Sequence, residues 1–362
     1  MRKILFTANT MTVGGIERAL INILKNIDYK KYEVTLILQE KNGLFLDEIP
    51  KEVNVIEYKI STCKIKIFRK IYNRLKMIFT CIKYHNKYDF SACFATYSIP
   101  SSILARNLSK NNAIWIHNDY YYVFNQDKDK ICNFMNSIGV DKFKRIIFVA
   151  NESKDHFLSI YGNLKNNCFV CNNLVDYKKI KELSTEIIAE DSKKTIFLNV
   201  SRHDEEQKKL TRLIEASKML KDDGYDFEVW MIGDGPDTQK YTKMINDLNM
   251  NDVIKLLGSK KNPYPYYKKA SAFVMTSDYE GFPVVYVESC IFNLPIITTI
   301  NVTDEYLNVG KTYGILVQMD SKSVYLGMKK FITEGFDVKE KFDPEKFNSI
   351  ILDKIYKYFE NK

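Results

Sequence analysis

Short apolar runs and amphipathic stretches alternate along the first half of the chain. Runs of strand length lie at 4–8, 34–38, 53–58, 90–96, 113–117 and 146–150. Between the first two, Ile16, Ala19, Leu20, Ile23, Leu24 and Ile27 recur at three- and four-residue steps, which puts them on one face of a helix. Phe68, Ile71, Tyr72, Leu75, Ile78, Phe79 and Ile82 mark a second helix in the same way. Strands alternating with helices predict a parallel sheet covered on both faces.

The polar stretch Asp176–Lys194 interrupts this pattern, which restarts at 195–200. A helix through Leu210, Leu213, Ile214 and Leu220 follows, then strand runs at 227–232, 253–257, 272–276, 295–299 and 314–317. Phe347, Ile350, Ile351, Ile355 and Phe359 predict a closing helix over Pro344–Tyr358. A chain of 362 residues exceeds what one hydrophobic core usually supports. The expected organisation is an α/β domain over 1–176, a second over 190–340, and a C-terminal helix at 341–362 that can return to the first domain. In such sheets ligands bind beyond the carboxyl ends of the strands, so the site is expected in a cleft between two facing Rossmann-like domains.

Composition adds little until charge is located. Apolar residues make up 45% and charged residues 27%, an ordinary globular balance that leaves no reason to expect disorder. No apolar run reaches the ~18 residues of a membrane span. The start, Met1-Arg-Lys-Ile-Leu-Phe, reads as a strand rather than a signal peptide, which makes the cytoplasm the expected location. Seven cysteines are scattered, and the single pair Cys168-x-x-Cys171 lacks the second pair of a structural zinc site, so a buried strand with reduced thiols is expected. The net charge of +9 equals the sum of Lys59, Lys64, Lys66, Arg69, Lys70, Arg74, Lys76, Lys83 and Lys87, a stretch without a single acid. The segment 64–87 is therefore a basic amphipathic helix, expected to pack partly on its sheet and to dock on an anionic membrane surface. It carries few stacking aromatics between its charges and no recognised module, which argues against nucleic acid as a partner.

The chemistry concentrates in Thr276-Ser-Asp-Tyr-Glu-Gly-Phe-Pro-Val-Val-Tyr-Val-Glu288. A strand ends near Thr276, a loop carries Glu280, Gly281, Phe282 and Pro283, and a helix starts near Val284. Pro283 suits the first turn of a helix, and free N–H groups there can hold a phosphate. Glu288 lies about one turn in, where a carboxylate can accept two hydrogen bonds from a ribose diol. Glu280, on the loop, can reach a transferred sugar.

This stretch resembles the Glu-x7-Glu signature of the retaining family 4 glycosyltransferases, which have the GT-B fold. Further matches occur in the same order. Asn199-Val-Ser-Arg-His-Asp-Glu-Glu-Gln-Lys-Lys resembles the family's strand–Arg–loop–Lys element, which implies that Arg202 and Lys208 neutralise a donor diphosphate, with Lys209 as an alternative to Lys208. Gly14-Gly15, between the first strand and helix, resembles the family's Gly-Gly loop. His117, at a strand end, resembles the histidine that binds a hydroxyl of the transferred sugar. Gly233-Asp-Gly-Pro236 matches a Gly-x-Gly turn beside the base and lacks the third glycine of a dinucleotide loop. Ser153, Asn173 and Asp176 match supporting positions. His85, His156 and His203 are less well placed, and Tyr120, Tyr121 and Tyr122 can line an acceptor or simply pack. Asp127-Lys-Asp129 fits the metal-binding string of the other main glycosyltransferase fold but reads as a surface loop.

The resemblance implies a retaining, metal-independent glycosyltransferase without a cofactor. Its donor is a nucleotide sugar, a UDP-sugar first among candidates. The donor-binding residues are then Arg202, Lys208, Glu288, Gly14, Gly15, Gly281, Phe282, Pro283, Val284 and Gly233, and the catalytic ones Glu280 and His117. The implied acceptor is a glycan or a polyprenyl-diphosphate-linked sugar at the inner face of the cell membrane, in surface polysaccharide synthesis. A sugar phosphorylase or nucleotide-sugar epimerase on the same fold is the alternative, and a nucleic-acid-binding protein a remote one.

Overall fold

The computed structural model describes residues 1–12, 14–300 and 308–360, which divide into two compact units. The first comprises Met1–Leu174 and Asn348–Lys362, the second Val175–Phe347.

In the first unit, β1 (Arg2–Ala8) leads into α1 (Gly15–Asn26), β2 (Tyr32–Leu38) and β3 (Asn54–Glu57). Helix α2 (Lys66–Lys83) follows, then β4 (Phe90–Cys93), α3 (Ile99–Leu108) and β5 (Asn112–Ile116). The short α4 (Tyr120–Val123) and α5 (Lys128–Ile138) precede β6 (Arg145–Phe148), α6 (Asn151–Ile160) and β7 (Cys168–Val170). The strands form one parallel sheet in the order β3-β2-β1-β4-β5-β6-β7. Strands covered on both faces read as continuous apolar runs, which is why Ile4, Leu5 and Phe6 are all fully buried.

The second unit begins with α7 (Tyr177–Leu183), inside the polar stretch where the sequence pattern shows no element. Asp176 caps it, its carboxylate accepting from the Lys179 amide at 3.2 Å. Then come β8 (Thr195–Val200), α8 (Leu210–Asp222), β9 (Phe227–Ile232), α9 (Thr238–Asp247) and β10 (Ile254–Gly258). They are followed by α10 (Tyr264–Lys269), β11 (Ala272–Met275), α11 (Val284–Ile291), β12 (Ile296–Thr298), β13 (Gly314–Leu316) and α12 (Ser321–Glu334). The parallel strand order is β10-β9-β8-β11-β12-β13.

The last helix, α13 (Pro344–Glu360), gives its length beyond Phe347 to the first unit. Phe359 is the anchor, with ring centroids 6.1 Å from Phe6, 5.1 Å from Phe90 and 5.3 Å from Tyr32. Burying one such ring contributes about 2–3 kcal/mol.

Two expectations are corrected here. Asp127-Lys-Asp129 is not a loop: Asp127 is the N-cap of α5, accepting from the Lys130 amide at 3.1 Å, and Asp129 lies in its first turn. Helix α2 does not use its apolar stripe to pack on the sheet. It sits on the protein through Met77 and Cys81, beside the cluster of Leu5, Ile37, Tyr58, Leu104 and Leu108. The stripe of Ile67, Phe68, Ile71, Tyr72, Leu75, Ile78, Phe79 and Ile82 lies on the opposite side and is exposed along its whole length. Among the described residues no helix is long and apolar enough to cross a membrane.

Candidate functional site

Strand order explains where the site forms. In the second unit the order reverses between β8 and β11, and in doubly wound sheets the loops leaving the strands at such a point part and leave a crevice. The β8 loop carries Arg202 and Lys208, and the β11 loop carries Glu280. The two are adjacent only because β8 and β11 pair.

Backbone bonds knit these loops. The Asp278 amide donates to the Gln207 carbonyl at 2.9 Å, and the Thr276 hydroxyl donates to the Lys208 carbonyl at 2.9 Å. Gln207 Nε2 donates to the Tyr279 carbonyl at 3.0 Å. Lys208 Nζ lies 2.5 Å from Glu280 Oε1, with side chains only 16% and 10% exposed. Ser277 Oγ donates to the same oxygen at 2.7 Å. Arg202 stays outside this contact: its side chain is 61% exposed, and its guanidinium pairs with Asp204 and reaches Gln207 Oε1 at 3.5 Å. Lys209 is drawn elsewhere, to Asp278 at 3.5 Å, which Arg212 also binds. Of the two lysines, Lys208 is therefore the one beside Glu280.

Helix α11 begins at Val284, with Pro283 immediately before it rather than in its first turn and no side chain capping it. Phe282 is buried and lies parallel to Phe347 at 6.4 Å, while Gly281 and Val284 are half-buried. Glu288 projects from the second turn. Burial raises its carboxyl pKa, and two phenols oppose the shift: Tyr264 donates to Oε1 at 3.2 Å and Tyr267 to Oε2 at 3.0 Å. Gly233 packs against the start of the Arg202 loop. Its φ is +144°, and a Cβ there would collide with the Ser201 carbonyl.

Gly14, Gly15 and His117 belong to the first unit, whose strand order reverses between β1 and β4. Gly14 precedes α1, and a Cβ on it would meet the Glu17 carboxylate, whereas Gly15 faces open space. Glu17 in turn accepts from the Tyr97 hydroxyl, beyond β4, at 3.3 Å. His117, just beyond β5, is buried with both ring nitrogens lacking a hydrogen-bond partner, and its ring lies 4.5 Å from that of Phe94. Burial pushes its pKa down to about 3, so the ring is neutral at physiological pH.

Two arrangements carry no signal in the sequence. Tyr264 and Tyr267 gave no motif signal, being two aromatics in a Pro-rich turn. His156 lies outside every motif, yet its Nδ1 lies 2.7 Å from Asp119 Oδ2 and its ring stacks on Tyr121 at 4.5 Å. Asp119, Tyr121, Ser153 and His156 share a small pocket with Asn118 and Ile116. Burial raises the Asp119 carboxyl pKa, while His156 and the Tyr121 amide oppose the shift. Cys168 and Cys171 are free thiols, pushed up by burial to about 11 and about 12. Among the described residues no group of His, Cys, Asp and Glu is arranged to hold a metal ion.

Comparison with known proteins gives this geometry a context. Residues 180–344 match the family model described as glycosyl transferases group 1. Over 345 residues the chain is 24% identical to a Campylobacter jejuni N-acetylgalactosaminyltransferase acting on a diphospho-undecaprenol-linked disaccharide, covering 92% of this chain and 91% of that one. It is 28% identical over 235 residues to an uncharacterized glycosyltransferase of Methanocaldococcus jannaschii, a match spanning 59% of this chain and 56% of that one. Among solved structures, Anabaena HepE in complex with UDP superposes with a TM-score of 0.75 at 16% identity, over 98% of this chain and 100% of that one.

Proposed function

We propose that this chain, a glycosyltransferase of the GT-B fold, moves a sugar from a UDP-sugar to a hydroxyl of a lipid-linked glycan, with retention at the anomeric carbon and no metal ion. The observation that carries the reading is the Lys208–Glu280 contact at the β8/β11 reversal, a cation and a carboxylate fixed side by side where a parallel sheet binds ligands.

In this reading Lys208 and Arg202 face the donor diphosphate, Glu288 holds the ribose diol, and Glu280 holds hydroxyls of the transferred sugar. The amides opening α11, beyond Gly281, Phe282 and Pro283, add partial positive charge toward the phosphates. Gly233 keeps the Arg202 loop close to its sheet. Neutral His117 supplies a hydrogen bond to a sugar hydroxyl, which gives a partner to one of its two buried ring nitrogens that have none in the protein. The bond from the anomeric carbon to the phosphate oxygen breaks. The acceptor hydroxyl oxygen bonds to the same carbon on the same face, and its proton passes to the departing phosphate. Lys208 and Arg202 stabilise the charge that grows on that leaving group.

The lipid-linked acceptor is inferred from the Campylobacter relative and from α2. Exposed apolar residues with Lys66, Arg69, Lys70, Arg74 and Lys83 alongside suit the interface of an anionic bilayer. We place the protein in the cytoplasm, peripheral at the inner face of the membrane.

A panel of UDP-, GDP- and ADP-sugars, scored for thermal stabilisation and for transfer to a polyprenyl-diphosphate-linked sugar, tests the reading. A UDP-sugar is expected to stabilise and react, the product to keep the donor's anomeric configuration, and EDTA to leave turnover unchanged. Stabilisation by none of the panel would overturn the proposal.

A further inference from the structure

Both oxygens of Glu288 are engaged by phenols from a single element. Tyr264 and Tyr267 reach it from α10, at 3.2 Å and 3.0 Å. Tyr267 is fully buried, its ring stacked on Phe273 at 5.7 Å with 7° between planes, and 6.0 Å from Phe292. Its hydroxyl therefore has little freedom, and it fixes the rotation of the carboxylate.

An ionised carboxylate offers about four lone-pair sites. The phenols use two, which leaves one acceptor on each oxygen. A vicinal diol presents two O–H donors to such a pair. A ribose lacking its 2′-hydroxyl fills only one, and an acceptor left buried without a partner costs free energy in the complex. The phenols also favour the ionised carboxylate against burial, and only that form accepts from both hydroxyls.

Building on the reading that seats the donor ribose at Glu288, we infer that Tyr264 and Tyr267 make this carboxylate a reader of the 2′,3′-diol. The enzyme then accepts ribonucleoside diphosphate sugars and rejects 2′-deoxyribose donors, deoxythymidine diphosphate sugars among them. Tyr264 and Tyr267 act as positioning residues through Glu288.

Calorimetric titration with UDP and with 2′-deoxy-UDP tests this, using GDP and its 2′-deoxy form instead if GDP binds more tightly. Wild type is expected to bind the ribonucleotide at least tenfold more tightly. In the Tyr264→Phe/Tyr267→Phe variant the ribonucleotide should weaken to the level of the deoxynucleotide, whose own affinity changes less than twofold. If the pair of substitutions lowers the melting temperature too far, Tyr264→Phe alone should narrow the ratio at least threefold. A role confined to packing would weaken both ligands equally and keep the ratio, and that result overturns the inference, as does equal binding by wild type. Failure of wild type to bind UDP, GDP or ADP at all defeats the donor reading itself.

Discussion

Lys208 Nζ and Glu280 Oε1 lie 2.5 Å apart, so the cation assigned to the donor diphosphate is already neutralised by the carboxylate assigned to the sugar. The two are 72 residues apart in sequence and meet because β8 and β11 are neighbours. Each holds the other in place, and a donor diphosphate has to share the ammonium with Glu280.

Lys208→Ala therefore removes two things at once. It strips a mostly buried carboxylate of its cation, leaving Ser277 Oγ at 2.7 Å as its nearest donor. Losing one partner of a fully buried pair costs about 3–5 kcal/mol, and the residual exposure here places the cost below that range. Turnover should fall at least tenfold, or roughly 1.4 kcal/mol of transition-state stabilisation. The double variant Lys208→Ala/Glu280→Ala should melt higher than the sum of the single losses implies while staying inactive. Thermal melts and kcat/KM on the three proteins check this, and additive melting shifts would show that the contact contributes nothing.

Much of the fold is legible in residue periodicity. The apolar runs at 34–38 and 227–232, each broken by one polar residue (Thr35, Glu228), have strand length, and both are strands. Helix α7 escapes because its only buried residue is Ile180, too few for a period to register. Helix α2 shows a different limit. Periodicity reveals that Phe68, Ile71 and Leu75 share a face, but not whether that face meets the protein or the solvent. The motif Glu280–Glu288 is legible because it is local. The Tyr264–Glu288 and Asp119–His156 contacts are not, since each joins elements whose proximity depends on the packing of the sheet.

The glycines separate by what a side chain would meet. At Gly233 an alanine needs φ +144° and collides with the Ser201 carbonyl, so Gly233→Ala should destabilise by more than about 2 kcal/mol and displace the Arg202 loop. At Gly15 a Cβ meets nothing within 4 Å. Gly15→Ala should change stability by less than about 0.5 kcal/mol or raise it slightly, because alanine favours the helix. Urea unfolding checks both. Unchanged stability with lost turnover in Gly15→Ala would show a ligand approaching the backbone there, as the resemblance implies.

Membrane docking by α2 divides into a charged and an apolar part. Replacing Lys66, Arg69, Lys70 and Arg74 by Gln removes four cations, each contributing about 1 kcal/mol beside an anionic surface. Binding to phosphatidylglycerol-containing vesicles should drop by about three orders of magnitude, and the residual binding should respond less to salt than that of the wild type. Replacing Phe68, Ile71, Leu75 and Phe79 by Ser removes apolar side chains that are exposed in the fold, so the protein should stay folded and yet bind vesicles more weakly, the binding left at low salt disappearing at high salt. Sedimentation of all three proteins decides, and wild-type binding by either variant would exclude α2 as the docking element.

The buried ring of His117 ties stability to acidity. Its pKa falls from 6.5 to about 3 on folding because burial disfavours the imidazolium. Below pH 6.5 the unfolded chain takes up a proton that the folded one refuses, so this residue removes stability as pH falls from about 6.5 toward 3, and contributes no pH dependence above that window. The limiting slope is about 1.4 kcal/mol per pH unit. His117→Gln cannot take up that proton, so the difference in unfolding free energy between wild type and variant should shift in the variant's favour on going from pH 7.5 to pH 5. Urea titrations at the two pH values measure it. A difference that stays constant would mean that His117 is protonated equally in both states, and the burial-depressed pKa of its ring would have to be abandoned.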